Sequence, residues 1–119
     1  MTGRATLVVA EPDTAIALGT GVVPVLATPR LVALCERATV AAVHDCLAPG
    51  TTTVGSRVQF DHLAAIRVGT EIQAEATLER VEGRRLTFTV SATDASGLVG
   101  AGRVTRVVVD VEDFLARAR

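Results

Sequence analysis

At 119 residues the chain is expected to form one domain, residues 1–119, and 49% hydrophobic with only 3% aromatic residues implies a core of Val, Leu and Ala. Its 12 basic and 13 acidic residues leave a formal net charge of −1, which excludes the electrostatic footprint of a nucleic-acid or anionic-membrane binder. The N-terminus carries no basic region followed by an apolar core and cleavage site, and no apolar run approaches ~20 residues, so a soluble cytoplasmic protein is expected.

Residues 4–10, RATLVVA, have the β-branched content of a first strand, and Glu11, Pro12 and Asp13 break it. From Ala15 to Thr28 the chain sets Gly19, Gly21 and Pro24 among small apolar residues, the composition of an irregular cover such as a lid. Thr28 to Leu47, TPRLVALCERATVAAVHDCL, then reads as a helix, with Thr28 as N-cap, Pro29 at the first helical position, and Pro49 and Gly50 ending it. Leu31, Leu34, Cys35, Ala38, Ala41 and Ala42 recur at spacings of three and four, but Val32, Ala33, Val40 and Val43 fill the intervening faces. The rod is apolar nearly all round, so a buried central helix is expected, roughly 27 Å long. Glu36 on its second turn needs solvent, a partner or a chemical role, because an unpaired buried charge costs several kcal/mol.

Thr51 to Phe60 reads as the next strand, with Val54, Ser56, Val58 and Phe60 on one face, Thr53, Gly55, Arg57 and Gln59 on the other, and Asp61 and His62 at its end. After Gly69, Ile72, Ala74, Ala76 and Leu78 alternate with Glu71, Gln73, Glu75 and Thr77. A hairpin at Glu82 and Gly83 leads into a strand that sets Leu86, Phe88, Val90 and Ala92 against Arg85, Thr87, Thr89 and Ser91. Leu98 to Asp110 forms the last strand, in which Gly100 and Gly102 permit close backbone approach, and Glu112 to Arg119 a short helical tail. The sum is an α+β domain: a curved antiparallel sheet of about five strands wrapped around one long central helix.

That order of elements resembles the hotdog fold of acyl-coenzyme A (CoA) thioesterases and dehydratases. Four strings, VLATPRLVALCERA, TTVGSRVQFDHLAA, VEGRRLTFTVSATD and the Gly-x-Gly strand ending VTRVVVD, are similar to the fluoroacetyl-CoA thioesterase-like branch of that fold, from about Val25 to the C-terminus. The resemblance implies a catalytic set of Thr28, Glu36 and His62, with Gly55 in the second strand and Arg106 in the last as substrate-site residues. It also implies an acyl-CoA substrate, and no cofactor beyond the CoA of that substrate and no metal are expected. Where the fluoroacetyl-specific enzyme places phenylalanines in the lid and early helix, this chain has Val22, Val23, Val25 and Leu31. Val23 and Val25 are thus candidate acyl-pocket residues, and no strong fluoroacetyl preference is expected.

Each residue also has a plain structural reading. Thr28 could be only an N-cap, and threonine is a poor nucleophile without a base. Glu36 lies eight positions further on, so on a continuous helix the two backbones are ~12 Å apart. Direct bonding is therefore not expected, unless the helix starts later, a thioester or water lies between them, or a second subunit supplies the partner. Glu36 could pair with Arg37, Arg30 or another subunit's cation, whereas as a tuned carboxylate it suits a general base or nucleophile toward a thioester. His62 beside a loop fits a proton relay, and Gly55 leaves room for the acyl group. His44 in the last helical turn fits the helix dipole, and Cys35 and Cys46 read as reduced packing residues.

No metal spacing, phosphate-cradling Gly loop or GxSxG string is present. The leading expectation is hydrolysis of a short acyl-CoA thioester, with helix N-terminal N–H groups facing the oxyanion. The alternatives are a non-catalytic acyl-thioester or small-ligand module and a dehydratase, the last lacking its Asp-x-Asn-Pro-x-His string. A helix apolar on every side has more hydrophobic surface than one sheet covers, so a homodimer or higher homo-oligomer is expected.

Overall fold

In the computed structural model, which describes all 119 residues, the expected strands pair into one antiparallel sheet in the order β1-β3-β4-β5-β2. These are β1 (Thr2–Val8), β2 (Thr51–His62), β3 (Glu71–Glu82), β4 (Arg85–Asp94) and β5 (Gly97–Asp110). Before the long helix α2 (Thr28–Val43) comes a single turn, α1 (Ala15–Leu18), and α3 (Val111–Arg117) closes the chain. The α+β arrangement agrees with the sequence reading.

The alternation in β3 and β4 does what its period of two demands. Ile72, Ala74 and Ala76, with Leu86, Phe88, Val90 and Ala92, are buried on the face that meets α2. From the helix, Leu31, Leu34, Cys35 and Ala38 press into that face, fully excluded from solvent. Burying each large side chain there stabilises the fold by about 1.5–3 kcal/mol. At the other edge β1 lies directly on the helix: a Cβ at Gly3 would meet the Ala38 carbonyl oxygen at 2.2 Å, so only glycine allows this approach.

Three expectations change. The helix is not buried all round, because Ala33, Arg37, Val40 and Ala41 face outward and are exposed in the single chain. Its regular part stops at Val43, and His44–Cys46 form a 3-10 turn, which leaves Cys46 exposed rather than packed. His44 is exposed beyond the last turn, 3.9 Å from Asp45. The irregular cover contains α1, capped by Thr14 Oγ1, which accepts from the Ala17 N–H at 3.2 Å, and closed by Gly19 in the left-handed region.

The fourth change matters most for the site. A β-bulge in β2 falls between Gly55, opposite Arg106, and Arg57, opposite Thr105, so Ser56 is the extra residue. From Gly100 onward strand β5 keeps one parity, with Val104 and Arg106 buried. Its partners facing the helix are therefore Thr53 and Gly55 before the bulge and Val58, Phe60 and His62 after it. The single alternation expected for this strand, with Val54 and Ser56 on the face of Phe60, does not hold. No helix is long and apolar enough to cross a membrane.

Candidate active site

Thr28 is not the N-cap. Ala27 holds that position without a side-chain bond, and Thr28 and Pro29 occupy the first two helical positions. Pro29 has no N–H, and the N–H groups of Arg30 and Leu31 both donate to the Ala27 carbonyl at 3.1 Å. Thr28 therefore keeps its own N–H as the one first-turn donor that Ala27 does not engage, where several had been expected. Its hydroxyl, freed from capping, lies 2.8 Å from His62 Nδ1.

This contact joins the start of α2 to the end of β2 across an open cleft of about 420 Å3. Val23 and Val25 of the cover, Thr28, Pro29 and His62 line it together with the segment Leu63, Ala64 and Ala65. The other ring nitrogen, His62 Nε2, is shielded from solvent and has no hydrogen-bond partner. When the Thr28 hydroxyl donates to Nδ1, the imidazole proton resides on Nε2, pointing inward. The pair thus couples a hydroxyl to a base within one hydrogen bond, the arrangement that activates an otherwise weak nucleophile.

The cover that lines the cleft is tied to the start of α2. Asp13 Oδ1 accepts from Arg30 Nε at 2.9 Å, tying the turn before α1 to the first turn of α2. The Ala27 N–H donates to the Asp13 carbonyl at 2.9 Å and the Leu26 N–H to the Ile66 carbonyl at 2.8 Å. Arg30 is accordingly not the partner of Glu36. Of the four positions matched to the lid and early-helix phenylalanines, two do not line the cleft: Leu31, on α2, is fully buried in the core and Val22 is 90% exposed.

Glu36, Gly55 and Arg106 form a second group. α2 is continuous from Thr28 to Val43, so the late start that could have brought Glu36 to Thr28 does not occur. Glu36 leans instead toward the bulged strand, where its Oε2 accepts from Arg106 Nη1 at 3.0 Å. None of the cations considered from sequence within the chain is this partner. Arg106 is 7% exposed, and its Nε and Nη2 donate to the hydroxyl and carbonyl oxygens of Thr53, both at 2.9 Å. A Cβ on Gly55 would lie 2.5 Å from Glu36 Oε2, so the carboxylate occupies the space the missing side chain leaves. Thr53 escaped the sequence reading because its hydroxyl matches no motif. Its signal was position: two residues before Gly55, on the same face.

Cys35 beside Glu36 is inert, since burial pushes its thiol up to about 11, against the ordinary 9.0. No three His, Cys, Asp or Glu side chains converge as a metal site would require.

The family profile described as fluoroacetyl-CoA-specific thioesterase matches residues 9–112. Over 95 residues the chain is 39% identical to a fluoroacetyl-CoA thioesterase of Streptantibioticus cattleyicolor, covering 80% of this chain and 68% of that protein. Its fold superimposes with a TM-score of 0.89 on a variant of the fluoroacetyl-CoA-specific thioesterase FlK in complex with fluoroacetate and CoA, at 33% identity and 96% coverage of each chain. A thioesterase superfamily member from Thermus thermophilus gives a TM-score of 0.90 at 29% identity, over 98% of this chain and 86% of that one. The curled five-strand sheet around α2 is thus the hotdog fold.

Proposed function

The chain belongs to the fluoroacetyl-CoA-specific thioesterase family, and on that footing we propose that it hydrolyses a short acyl-CoA thioester to the free acid and CoA. The observation that carries this reading is the 2.8 Å contact of Thr28 Oγ1 with His62 Nδ1 at the cleft. His62 takes the proton from the Thr28 hydroxyl as that oxygen attacks the thioester carbonyl, and returns a proton to the departing CoA thiolate. The Thr28 N–H faces the developing oxyanion, with the partial positive charge of the helix start behind it. Glu36 is the general base that takes a proton from the water attacking the acyl–Thr28 ester, that proton is returned to the Thr28 oxygen as the acyl–oxygen bond breaks, and Gly55 and Arg106 shape and fix the position of Glu36. No metal or bound cofactor takes part in this scheme.

Glu36 reaches from α2 to the Thr53–Gly55 stretch of β2 whereas the cleft lies at the His62 end of that strand, and we read the working unit as a homodimer. Supporting this are the exposed Val40 and Ala41 on α2 and the unpaired outer edge of β2, whose Val58 is 39% exposed. A second copy along that edge covers the Glu36 carboxylate and brings it into a site shared between subunits. Sedimentation that shows a monomer at micromolar concentration overturns the dimer.

The reaction is tested by following free thiol with Ellman's reagent over a panel of acetyl-, fluoroacetyl-, propionyl- and longer acyl-CoA thioesters. Thiol release above background on a short member is the expected result, and binding without release identifies a non-catalytic module instead. With Val23 and Val25 lining the cleft, kcat/KM for fluoroacetyl-CoA is expected to lie close to that for acetyl-CoA.

A further inference from the structure

Of the three consecutive threonines that open β2, each has a different fate. Thr51 donates its hydroxyl to the Ala48 carbonyl at the strand entrance, Thr52 is exposed, and Thr53 alone is buried against α2 and β5. Thr53 gives both its oxygens to one side chain: Arg106 Nε donates to Oγ1 and Nη2 donates to the backbone oxygen, each at 2.9 Å. Two bonds from one edge of a planar guanidinium specify its plane as well as its position. The remaining nitrogen, Nη1, is then fixed in that plane, and one of its N–H groups donates to Glu36 Oε2 at 3.0 Å.

We propose that Thr53 is a positioning residue for thioester hydrolysis: it holds Arg106 so that Nη1 clamps one oxygen of Glu36 and leaves the other free to act on substrate or water. The inference rests on the assignment of Glu36 to the reaction made above. Its geometry is set by register. Gly55 is directly opposite Arg106, and Thr53 sits two residues back on the same face, opposite Val108. The guanidinium therefore reaches diagonally along β2 to Thr53 while the carboxylate comes down from α2 over Gly55. A Cβ at Gly55 would lie 3.4 Å from Nη1 as well as 2.5 Å from Oε2, so glycine and threonine divide the work: one clears the meeting place, the other fixes the approach. Branching at Cβ restricts the Thr53 rotamer, which keeps the hydroxyl under Nε. The Glu36 side chain remains 35% exposed, so its second oxygen can be reached.

A buried arginine needs acceptors for stability alone, so the test must separate holding the fold from aiming the carboxylate. Thr53→Val keeps the shape and removes the acceptor for Nε. It is expected to lower kcat by about 10-fold or more, as small misplacements of reacting groups do, with KM within about twofold. Thr53→Ser restores the acceptor and should return kcat to within about threefold of wild type. The deciding measurement is Thr53→Val in a Glu36→Gln background, where no further rate loss is expected, because Thr53 acts only through that carboxylate. Wild-type kcat in Thr53→Val, or an equal loss in both backgrounds, overturns the proposal. Full activity in Glu36→Gln overturns the assignment of Glu36 and this inference with it. That result differs from an inactive Glu36→Gln beside a fully active Thr53→Val, which removes the role of Thr53 alone. Should Thr53→Val not fold, Thr53→Ala, which leaves space for a water at Nε, takes its place in the same comparison.

Discussion

The two polar groups of this molecule are built on opposite principles. Thr28 and His62 share one hydrogen bond at an open cleft, joining an exposed residue to the last residue of a strand. Glu36 and Arg106 share a charged one, and the arginine is held further by two bonds to Thr53 and buried almost completely. The first arrangement suits a proton that must move, since neither member is committed elsewhere. The second suits a charge that must stay, since its partner has no other orientation. Within one protomer the two groups stay apart, so the Arg106 guanidinium bonds Glu36 and Thr53 and makes no contact with His62.

The comparison is broken most directly at Glu36. Glu36→Gln removes the charge and keeps the shape, and kcat is expected to fall at least ~100-fold. Arg106 loses its counter-charge in the same step, so the melting temperature should fall by roughly 4 °C or more, in contrast to the gain expected when an unpaired buried carboxylate is neutralised. A lower melting temperature with turnover intact reduces the cluster to a structural ion pair.

His62→Ala tests the other group. Kinetics should show a loss of about 100-fold in kcat, while calorimetry shows little change, because the ring ends a strand at the cleft and makes a single hydrogen bond, to Thr28. In the double variant with Glu36→Gln the losses should be far from additive if both groups serve one reaction. Independent, fully additive losses divide them into two functions.

Gly55→Ala sharpens the contrast without deleting any chemical group. The added Cβ meets the far end of a flexible side chain, so the fold accommodates it and the Glu36 carboxylate moves. A loss of about 10-fold in kcat with an unchanged melting temperature is expected. An unchanged rate shows that the carboxylate's position carries no chemistry.

The smallest effect concerns the cysteines. Iodoacetamide at about pH 8 should modify exposed Cys46 and spare Cys35, whose thiol burial pushes up to about 11, and mass spectrometry counts the adducts. Since the folded state holds that proton more tightly than the unfolded one, the Cys35 contribution to stability is complete below 9.0 and is lost as pH rises from there through about 11. Rapid alkylation of both thiols in native protein contradicts this.

Much of the fold could be read from local pattern, because β3 and β4 bury one face each and their alternation reports it directly. Thr28 was misread as a cap since capping depends on the backbone angles of Ala27, and a threonine next to a proline looks the same in either role. The Glu36 partner lay beyond sequence reasoning for a different reason: Arg106 is brought to it only by the strand order, in which β5 lies inside β2. The resemblance named the residues of both groups, but nothing in it said that a protomer keeps them apart.

Ser56 carries a consequence larger than its own contacts. Because side chains alternate along a strand, β2 can present Thr53 and Gly55 and, further on, Phe60 and His62 to the same helix only by counting one residue twice. Deleting Ser56 leaves every chemical group in place, yet turns either the arginine-holding half or the histidine-bearing half of the strand out to solvent. The length of this strand, counted in single residues, is therefore itself a determinant of which side chains reach the candidate site.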